Sequence, residues 1–565
     1  WIFEGYQCLG PDYDRCLLSL SRGGKDADVK REFSIADKAF VKGGFETPEA
    51  KSSMEWLDQD TLLIGTDWGT GSMTDSGYPR VVKRWQRGTP LASAITVLAG
   101  EVEDVRVFPQ VEKDAQQAWP MVQRSVSFFE FEKYLLGDDG LKKLPLPLQS
   151  WIEGVLDGWA IVTLSEDWRY QGATYPQGAM VALNLHTMDA EIVFSPSATQ
   201  AVESVALGKS SVYVELLDDV QSGVLRLQRH AGNWRATPLP LPTNGVVSIS
   251  AANSRGNDLL VSYESMTSPD TLYYVDDNNA VSKVMALPTM FDASDVVVEQ
   301  RFTTSKDGTR VPYFVMARKD VLEKGNAPTI QYGYGGFKIP ILPIYFSESA
   351  RPQHGALAGK LWVSRGGVMV LTNMRGGSEY GPAWHEAVLK QNRHKAFEDF
   401  FAVGEALVAD GVTTPDKLGA IGRSNGGLLM GAVMLQRPNL YAAIDCGVPL
   451  LDMLRYHKLL AGASWVGEYG DPEIADEREY LASYSPYQNL QRDMDYPAMF
   501  FYTSTKDDRV HPGHARKMAA KMDEFGYPFL YYENIEGGHG GTANQPQLAR
   551  RTALEFVFFV RELMD

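Results

Sequence analysis

The chain has 565 residues, of which 44% are hydrophobic and 22% are charged, and its formal net charge is -17. A chain of this length exceeds what one hydrophobic core supports, so at least two globular domains are expected. The negative charge argues against nucleic acids and anionic membrane surfaces as partners. The sequence also lacks an uninterrupted apolar run of about 18 residues, the length that a membrane-spanning helix needs.

The cysteines and histidines give no metal-binding pattern. Cys8, Cys16 and Cys446 have no paired ligand spacing, and we interpret them as buried thiols in a reducing compartment, which favours a cytoplasmic location. Because the chain opens with Trp1 and not with Met, a periplasmic or secreted location stays open. No His-Glu-x-x-His cluster is present, so neither a metal nor another cofactor is expected.

Residues 1–295 have the pattern of short strands separated by turns, which predicts a sandwich, a barrel or a propeller. A helical pattern interrupts the strands around residues 115–136. A repeat of about 40 to 50 residues would select the propeller, but the repeat is weak, and periodicity leaves all three architectures open. The clearest predicted strands are 16–21, 61–66, 159–164, 211–216, 223–228, 259–263 and 271–275.

After residue 295, strands begin to alternate with helices, which is typical of an α/β fold. The predicted strands at the start of this region are 296–302, 311–316, 329–332 and 368–371. An amphipathic packing helix is predicted over 396–410, with Phe400, Val403, Leu407 and Val408 on one side. The sequence therefore predicts an all-β domain over residues 1–295 and an α/β domain over residues 296–565.

A serine between glycines lies at the centre of the second domain. The segment Gly422-Arg423-Ser424-Asn425-Gly426 follows a short apolar strand pattern and continues as a helix pattern. Such a sharp turn from strand to helix exposes the serine hydroxyl, and the glycines leave room for the bend. Ser424 is therefore the candidate nucleophile.

A serine hydroxyl needs a base within hydrogen-bond reach and a carboxylate that orients the base. The predicted strand 496–503 ends shortly before Asp507 and Asp508, and the strand 529–532 ends before the glycine-rich loop that holds His539. A last helix is predicted over 547–563. The order serine, acid, histidine is that of α/β-hydrolases, and strand ends are where open α/β sheets place their sites. His539 is therefore the candidate base, and one of the two aspartates is the candidate acid.

Five further segments accompany the Ser424 elbow in a specific order. They are Tyr-Gly-Tyr-Gly-Gly-Phe at 332–337, Asn-Met-Arg-Gly-Gly-Ser-Glu-Tyr-Gly at 373–381, and the segments 452–458, 507–510 and 538–540. This set resembles the prolyl oligopeptidase family of serine peptidases, and within it the prolyl endopeptidases, over nearly all of residues 298–565. The resemblance implies a C-terminal α/β-hydrolase catalytic domain covered by an N-terminal β-propeller.

Two features depart from the family's pattern. Against the usual layout, the chain begins well inside the propeller, so the propeller is expected to be incomplete at its amino end. Arg423 stands where prolyl endopeptidases more often have glycine. In having arginine at this position, the chain resembles the related oligopeptidase B. The arginine precedes the candidate nucleophile and leaves it intact.

The remaining catalytic parts follow from chemistry and from the resemblance. The carbonyl that is attacked gains negative charge, and the backbone N–H of Asn425, the residue after the nucleophile, is an expected donor to it. The resemblance implies the Tyr334 hydroxyl as the second donor and Asp507 as the catalytic acid. It also implies that Arg509 binds a substrate carbonyl, and the alternative for Arg509 is a salt bridge to Asp507 or Asp508.

A proline ring is flat and apolar, and a pocket with aromatic walls recognises it by stacking and by exclusion of water. The resemblance implies that Trp465 stacks on the proline. The further lining residues that it implies are Phe337, Tyr469, Val510 and Leu450, the last at a position where the family often has valine. We interpret five histidines in or near the matched segments, His385, His394, His457, His511 and His514, as structural or surface residues.

Three functions compete at this stage. The first is a serine peptidase, expected to be a monomer, that cleaves short peptides on the carboxyl side of proline through an acyl-enzyme. The second is an oligopeptidase B-like or acylaminoacyl-peptidase-like enzyme. Arg423 keeps it open, and it would need a carboxylate pocket, for which Glu468 is the nearest candidate. The third is an inactive, truncated protein that serves in binding and not in catalysis. Hydrolysis of peptides with Pro, Arg or an acylated terminus at the cleaved bond would separate these functions.

Overall fold

The computed structural model describes residues 1–345 and 357–565. Within these ranges, six antiparallel four-stranded sheets are followed by one mixed sheet of eight strands. Apolar clusters fill the spaces between successive four-stranded sheets. Leu63 and Val122, for example, belong to one cluster although they come from the second and the third sheet. This packing identifies the six sheets as the blades of a β-propeller and resolves the architecture that strand periodicity left open.

The blades follow one another in chain order. The first three contain β1 (Ile2–Cys8), β2 (Arg15–Ser21), β3 (Asp28–Ser34) and β4 (Ala39–Phe40); β5 (Ser53–Asp58), β6 (Thr61–Gly65), β7 (Val81–Gln86) and β8 (Ile95–Ala99); and β9 (Arg106–Lys113), β10 (Ala118–Ser125), β11 (Phe131–Gly137) and β12 (Gly140–Lys143). The fourth contains β13 (Ser150–Leu156) and β14 (Trp159–Leu164) and, after the hairpin of β15 (Trp168–Tyr170) and β16 (Ala173–Tyr175), β17 (Met180–Asn184) and β18 (Ala190–Phe194). The last two contain β19 (Gln200–Leu207), β20 (Val212–Asp218), β21 (Gln221–His230) and β22 (Asn233–Pro238); and β23 (Val246–Ala252), β24 (Leu259–Ser265), β25 (Ser268–Val275) and β26 (Val281–Ala286).

The eight-stranded sheet has the order β27-β28-β30-β29-β31-β32-β33-β34, and its strands from β30 to β34 run parallel. Its strands are β27 (Val296–Thr304), β28 (Arg310–Arg318), β29 (Thr329–Tyr332), β30 (Val368–Thr372), β31 (Leu418–Arg423), β32 (Ala443–Gly447), β33 (Ala498–Ser504) and β34 (Leu530–Asn534). Because parallel strands end at the same edge of a sheet, the loops after β29, β31, β33 and β34 meet there.

Helices cover both faces of this sheet, as expected for parallel strands, whose faces are both apolar. They are α1 (Lys319–Lys324), α2 (Pro382–Glu386), α3 (His394–Ala409), α4 (Asn425–Gln436), α5 (Val466–Tyr469), α6 (Ala475–Tyr484), α7 (Pro486–Asn489), α8 (Gly513–Phe525) and α9 (Gln545–Leu563). Short 3-10 turns are Leu91–Ser93, Val363–Arg365, Lys390–Asn392, Pro415–Lys417, Tyr456–Lys458, Leu460–Trp465 and Gly538–Gly540, and a π-helical turn is Leu357–Trp362. The predicted packing helix is α3, in which Phe400, Val403 and Leu407 are buried.

The predicted helix around residues 115–136 is wrong, because this segment forms β10 and β11. In β10, Trp119, Met121, Gln123 and Ser125 are buried at alternate positions on one face of the strand, and Val122 on the other face is buried against the second blade. Pairing of β10 with strands on both sides therefore overrides the local helical preference of the segment.

The prediction of three free thiols is also wrong. Cys8 and Cys16 lie opposite each other on β1 and β2 and form a disulfide, and Cys446 is free and buried in β32. Hairpin pairing brings the two cysteines together, which their sequence spacing did not reveal. The argument for a reducing compartment therefore no longer follows from the cysteines.

The last blade ends at Ala286, and the mixed sheet begins at Val296. The division at residues 295 and 296 stays a prediction, since the segment between these strands belongs to neither sheet. Among the described residues, no helix is long and apolar enough to cross a bilayer.

Candidate active site

The strand-to-helix turn that holds Ser424 joins β31 directly to α4. Ser424 has φ 59°, in the left-handed region, and its backbone N–H donates to the Gly447 carbonyl at 3.0 Å. A Cβ atom at Gly422 would lie 2.4 Å from the Gly426 carbonyl oxygen, and one at Gly426 would lie 2.7 Å from the Gly333 carbonyl oxygen. The bend therefore requires glycine at both positions, and it places the serine at the carboxyl edge of the sheet.

Three side chains from three separate loops meet at this edge. His539 Nε2 lies 2.9 Å from Ser424 Oγ, and His539 Nδ1 lies 2.7 Å from Asp507 Oδ2. The other oxygen, Asp507 Oδ1, accepts from the backbone N–H groups of Arg509 at 3.0 Å and Val510 at 2.9 Å. With the proton on Nδ1, the imidazole donates to the aspartate and its Nε2 accepts the serine proton, which is the arrangement that activates a hydroxyl.

Two groups near Ser424 are suited to bind an oxyanion. Tyr334 follows β29, and its phenol faces the Ser424 side chain. Burial raises the pKa of Tyr334 to about 12, so the hydroxyl stays protonated and able to donate. The backbone N–H of Asn425 belongs to the first residue of α4, and the Asn425 side chain is fixed by the Tyr334 carbonyl at 2.5 Å and the Tyr469 hydroxyl at 2.8 Å. Rigid donors of this kind stabilise charge that develops on a carbonyl oxygen.

The aspartate next to Asp507 has a different environment. Asp508 accepts from the backbone N–H groups of Asp26, at 2.9 Å, and Ala27, at 3.2 Å, in the propeller loop between β2 and β3. Arg509 forms a two-point ion pair with the Asp26 carboxylate at 2.8 and 3.0 Å. The salt-bridge partner of Arg509 is therefore a propeller residue and not one of its neighbouring aspartates, which the sequence did not predict.

Two cavities open beside Ser424, with volumes of about 820 Å³ and about 430 Å³. The smaller one is lined by Trp465, Phe337, Tyr469 and Leu450. The Phe337 and Tyr469 rings pack edge to face with centroids 5.7 Å apart. An apolar chamber of this size with ring walls can enclose a proline residue. The remaining predicted pocket residue, Val510, is buried in the core, and its backbone N–H holds Asp507.

The propeller completes this chamber with residues that the sequence analysis did not identify. Phe128, in the loop between β10 and β11, packs edge to face on Phe337 with centroids 5.2 Å apart. Phe131, Tyr78 and Arg106 also line the smaller cavity. A run of aromatic residues, Phe-Phe-Glu-Phe, is visible at 128–131, but its contact with the second domain depends on how the two domains pack.

Glu468, considered above as a pocket for basic side chains, is fully buried and already paired. Its carboxylate binds the guanidinium of Arg393, lies 2.7 Å from His385 Nε2, and accepts from the Phe337 N–H at 3.3 Å. Burial alone would raise the pKa of Glu468, but Arg393 and His385 outweigh it and lower the pKa to about 2. Glu468 therefore holds the backbone of Phe337, a wall residue of the chamber, and its carboxylate is not available to a substrate cation.

Arg423 is also buried and paired. Its Nη2 donates to Glu555 Oε1 in α9 at 2.7 Å, and Arg551 Nε lies 3.4 Å from the same oxygen. Arg551 Nη1 in turn donates to the Gly540 carbonyl, next to the candidate base, at 2.9 Å. These contacts connect the strand that ends at the candidate nucleophile to the loop that contains the candidate base.

Two of the histidines that the sequence analysis interpreted as structural or surface residues, His514 and His457, contact other parts of the protein. His514 is fully buried, its Nδ1 accepts from the Leu451 and Asp452 N–H groups at 3.2 and 3.1 Å, and burial lowers its pKa to about 4. His457 contacts Glu473 at 2.9 Å. Over the described part of the chain, no group of three or more histidine, cysteine or acidic side chains could hold a metal ion.

Comparison with known sequences places this geometry in a family. The model of the prolyl oligopeptidase N-terminal β-propeller domain matches residues 1–288, and the model of the prolyl oligopeptidase family matches residues 357–565. The chain belongs to the prolyl oligopeptidase family. It is therefore a serine peptidase that combines a β-propeller with an α/β-hydrolase domain, as the sequence motifs predicted.

The chain is similar to several members of this family. An uncharacterized peptidase of Sinorhizobium fredii is 43% identical over 580 residues, which cover all of this chain and 79% of the relative. A prolyl endopeptidase of Elizabethkingia miricola is 36% identical over 58% of this chain and 45% of the relative. The solved structure of a post-proline cleaving enzyme from Rickettsia typhi has a TM-score of 0.94 and 30% identity, covering all of this chain and 84% of that one.

Proposed function

We propose that the chain is a prolyl endopeptidase that cleaves short peptides on the carboxyl side of proline. In this mechanism Ser424 Oγ attacks the scissile carbonyl carbon while His539 Nε2 accepts its proton, and Asp507 stabilises the imidazolium. The Tyr334 hydroxyl and the Asn425 N–H bind the oxyanion. The imidazolium then protonates the leaving amine, and a water activated by His539 releases the peptide acid from the acyl-enzyme.

The observation that carries the proposal is the continuous hydrogen-bonded chain from Asp507 through His539 to Ser424 at the mouth of an aromatic chamber. Trp465 and Phe337 give that chamber the flat apolar walls that suit a proline ring. The relatives from Elizabethkingia miricola and Rickettsia typhi, whose names state cleavage at proline, support the same specificity.

The environments of two residues weaken the alternative of a peptidase for basic substrates. Arg423, which suggested it, is buried against Glu555. Glu468, which would have to bind a substrate cation, already binds Arg393 and His385. Short peptides are favoured as substrates because Ser424 lies on cavities that both domains enclose.

The test uses the purified full chain and peptides of equal length with Pro, Arg or an acylated terminus at the cleaved bond. Product masses identify the cleaved bond, and initial rates give kcat/KM. We expect cleavage after proline with kcat/KM at least about tenfold above the other peptides, and no turnover by Ser424→Ala. Equal rates for the arginine peptide would contradict the specificity, and turnover by Ser424→Ala would contradict the nucleophile.

A further inference from the structure

Arg106 differs from the other basic residues around the active-site cavities because it has no carboxylate partner. It begins β9 in the third blade, is half-buried, and lines both cavities together with Ser424 and Tyr334. Its guanidinium lies over the Phe108 ring, 4.4 Å from the ring centroid. Within residues 1–345 and 357–565, no acidic group lies within 4 Å of it and no acceptor is hydrogen bonded to it.

The neighbouring cations, unlike Arg106, each contact a carboxylate. Arg509 is paired with Asp26, Lys51 lies 3.8 Å from the same carboxylate and donates to the Asp508 carbonyl, and Arg423 is paired with Glu555. A guanidinium always carries its charge, and burying a charge without a partner is unfavourable. Burial lowers the pKa of Arg106, in agreement with a cation that has lost part of its hydration. The guanidinium therefore faces the cavities with no acidic partner among the described residues and can bind an anion that enters them.

The residues that line the smaller cavity indicate where Arg106 could bind an anion. Among the described residues that line it, Arg106 and Arg509 are the charged ones, and Asp26 neutralises Arg509. The acidic residues that line the larger cavity are Glu4, Asp26 and Asp28, and none of these three lines the smaller one. The smaller cavity therefore has an excess positive charge amid aromatic walls, where an ion pair is stronger than in water.

We infer that Arg106 binds a carboxylate of the peptide substrate, next to the residue that occupies the aromatic chamber. A guanidinium is planar and rigid, and two of its N–H groups can donate to the two oxygens of one carboxylate. The carboxylate comes either from an Asp or Glu side chain of the peptide or from its C-terminus. This inference rests on the proposed peptidase function, because it adds a specificity element to the same site.

The experiment compares matched proline peptides at low ionic strength. One set carries Glu or Gln at the first, second or third position before the proline and has an amidated C-terminus, and a second set carries Gln and has a free or amidated C-terminus. For one placement of the carboxylate we expect kcat/KM to exceed that of the neutral partner by about tenfold, as a partly buried charge-assisted contact provides. The placement that gives the preference identifies the source of the carboxylate.

The variants test whether Arg106 causes this preference. In Arg106→Gln the ratio of charged to neutral peptide should fall to about one, and in Arg106→Lys part of the ratio should remain. The matched control is Arg84→Gln, which removes the same charge from an exposed position of β7 and should keep the wild-type ratio. Thermal unfolding of each variant checks that it is folded.

Two results would overturn the inference: a wild-type ratio near one for every placement, or a ratio that survives Arg106→Gln. Failure of the proposed function is seen separately, as absence of cleavage of the neutral proline peptides. In that case the Kd values of the charged and neutral peptides for Ser424→Ala still test Arg106, because binding needs no turnover. Equal Kd values would then overturn the inference.

Discussion

Replacement of Trp465 tests whether this residue recognises proline or only supports the fold. The Trp465 side chain is 7% exposed, and it lines the chamber together with Phe337 and Tyr469. If its indole stacks on the substrate proline, Trp465→Ala removes an aromatic contact of about 0.5–1.5 kcal/mol. It also removes the burial of about 40 Å² of proline ring, about 1 kcal/mol at about 25 cal/mol per Å². Together these losses predict a fall of about 10- to 70-fold in kcat/KM for proline peptides.

The same side chain belongs to the core of the hydrolase domain, so folding must be measured beside activity. Truncation of a buried tryptophan to alanine costs about 3–5 kcal/mol of unfolding free energy. Trp465→Phe keeps a ring in the chamber and should cost less in both respects. The assay is the initial rate for a proline peptide and for a non-proline ester of similar size, with thermal unfolding of each variant as the control.

The expected result is a loss for the proline peptide that is much larger than the loss for the ester, because in the proposed mechanism ester hydrolysis requires only Ser424, His539 and the oxyanion donors. An intermediate loss is expected for Trp465→Phe. A uniform fall for both substrates would refute the reasoning, since it would mean that Trp465 supports the fold and does not contact proline.

Three further predictions follow from contacts outside the chamber. Asp507→Asn should lower kcat by about 10⁴-fold because it removes the acceptor for His539 Nδ1. Asp508→Asn should lower kcat far less, because the Asp508 carboxylate binds the propeller loop. Equal losses in the two variants would contradict the assignment of Asp507 as the acid. Glu555→Gln breaks a buried ion pair with Arg423 and should lower the unfolding free energy, measured in urea, by about 3–5 kcal/mol. The control Glu562→Gln breaks the exposed pair with Arg561 on the same helix and should lower it by less than about 0.5 kcal/mol. Burial raises the pKa of Glu153 from 4.5 to about 7, so the stability that its protonated form contributes is complete below pH 4.5 and is lost as the pH rises through 7. Glu153→Gln should therefore raise the unfolding free energy by about 3 kcal/mol at pH 8 and leave it nearly unchanged at pH 4.5. An equal effect at both pH values would contradict the assignment.

The parts of the fold that depend on local pattern were predictable from the sequence. The turn at Ser424 could be located because only glycine fits at Gly422 and Gly426, and this requirement is visible as a motif. The order of strands around Asp507 and His539 followed from apolar runs that end in polar loops. Each of these features needs information from fewer than about 15 neighbouring residues, the window over which periodicity is read.

The features that escaped prediction depend on contacts between distant parts of the chain. The disulfide between Cys8 and Cys16 depends on the pairing of β1 with β2, and the strand β10 depends on its neighbours in the blade. The contact of Phe128 with Phe337 and the ion pair of Asp26 with Arg509 both cross from one domain to the other. Residue type and spacing within one segment contain no information on such partners.

The environment of Glu468 bears directly on the competing specificity for basic substrates. To bind a substrate Lys or Arg, its carboxylate would have to release the Arg393 guanidinium, which is fully buried. A buried charge that loses its partner costs about 3–5 kcal/mol, and a substrate cation would have to lose its hydration as well. The gain from one new ion pair does not exceed these two costs. A basic substrate therefore needs a different carboxylate in the chamber, and among the described residues that line the smaller cavity there is none. An apolar ring such as that of proline avoids both costs, because it has no charge to dehydrate and it leaves the pair of Glu468 with Arg393 intact.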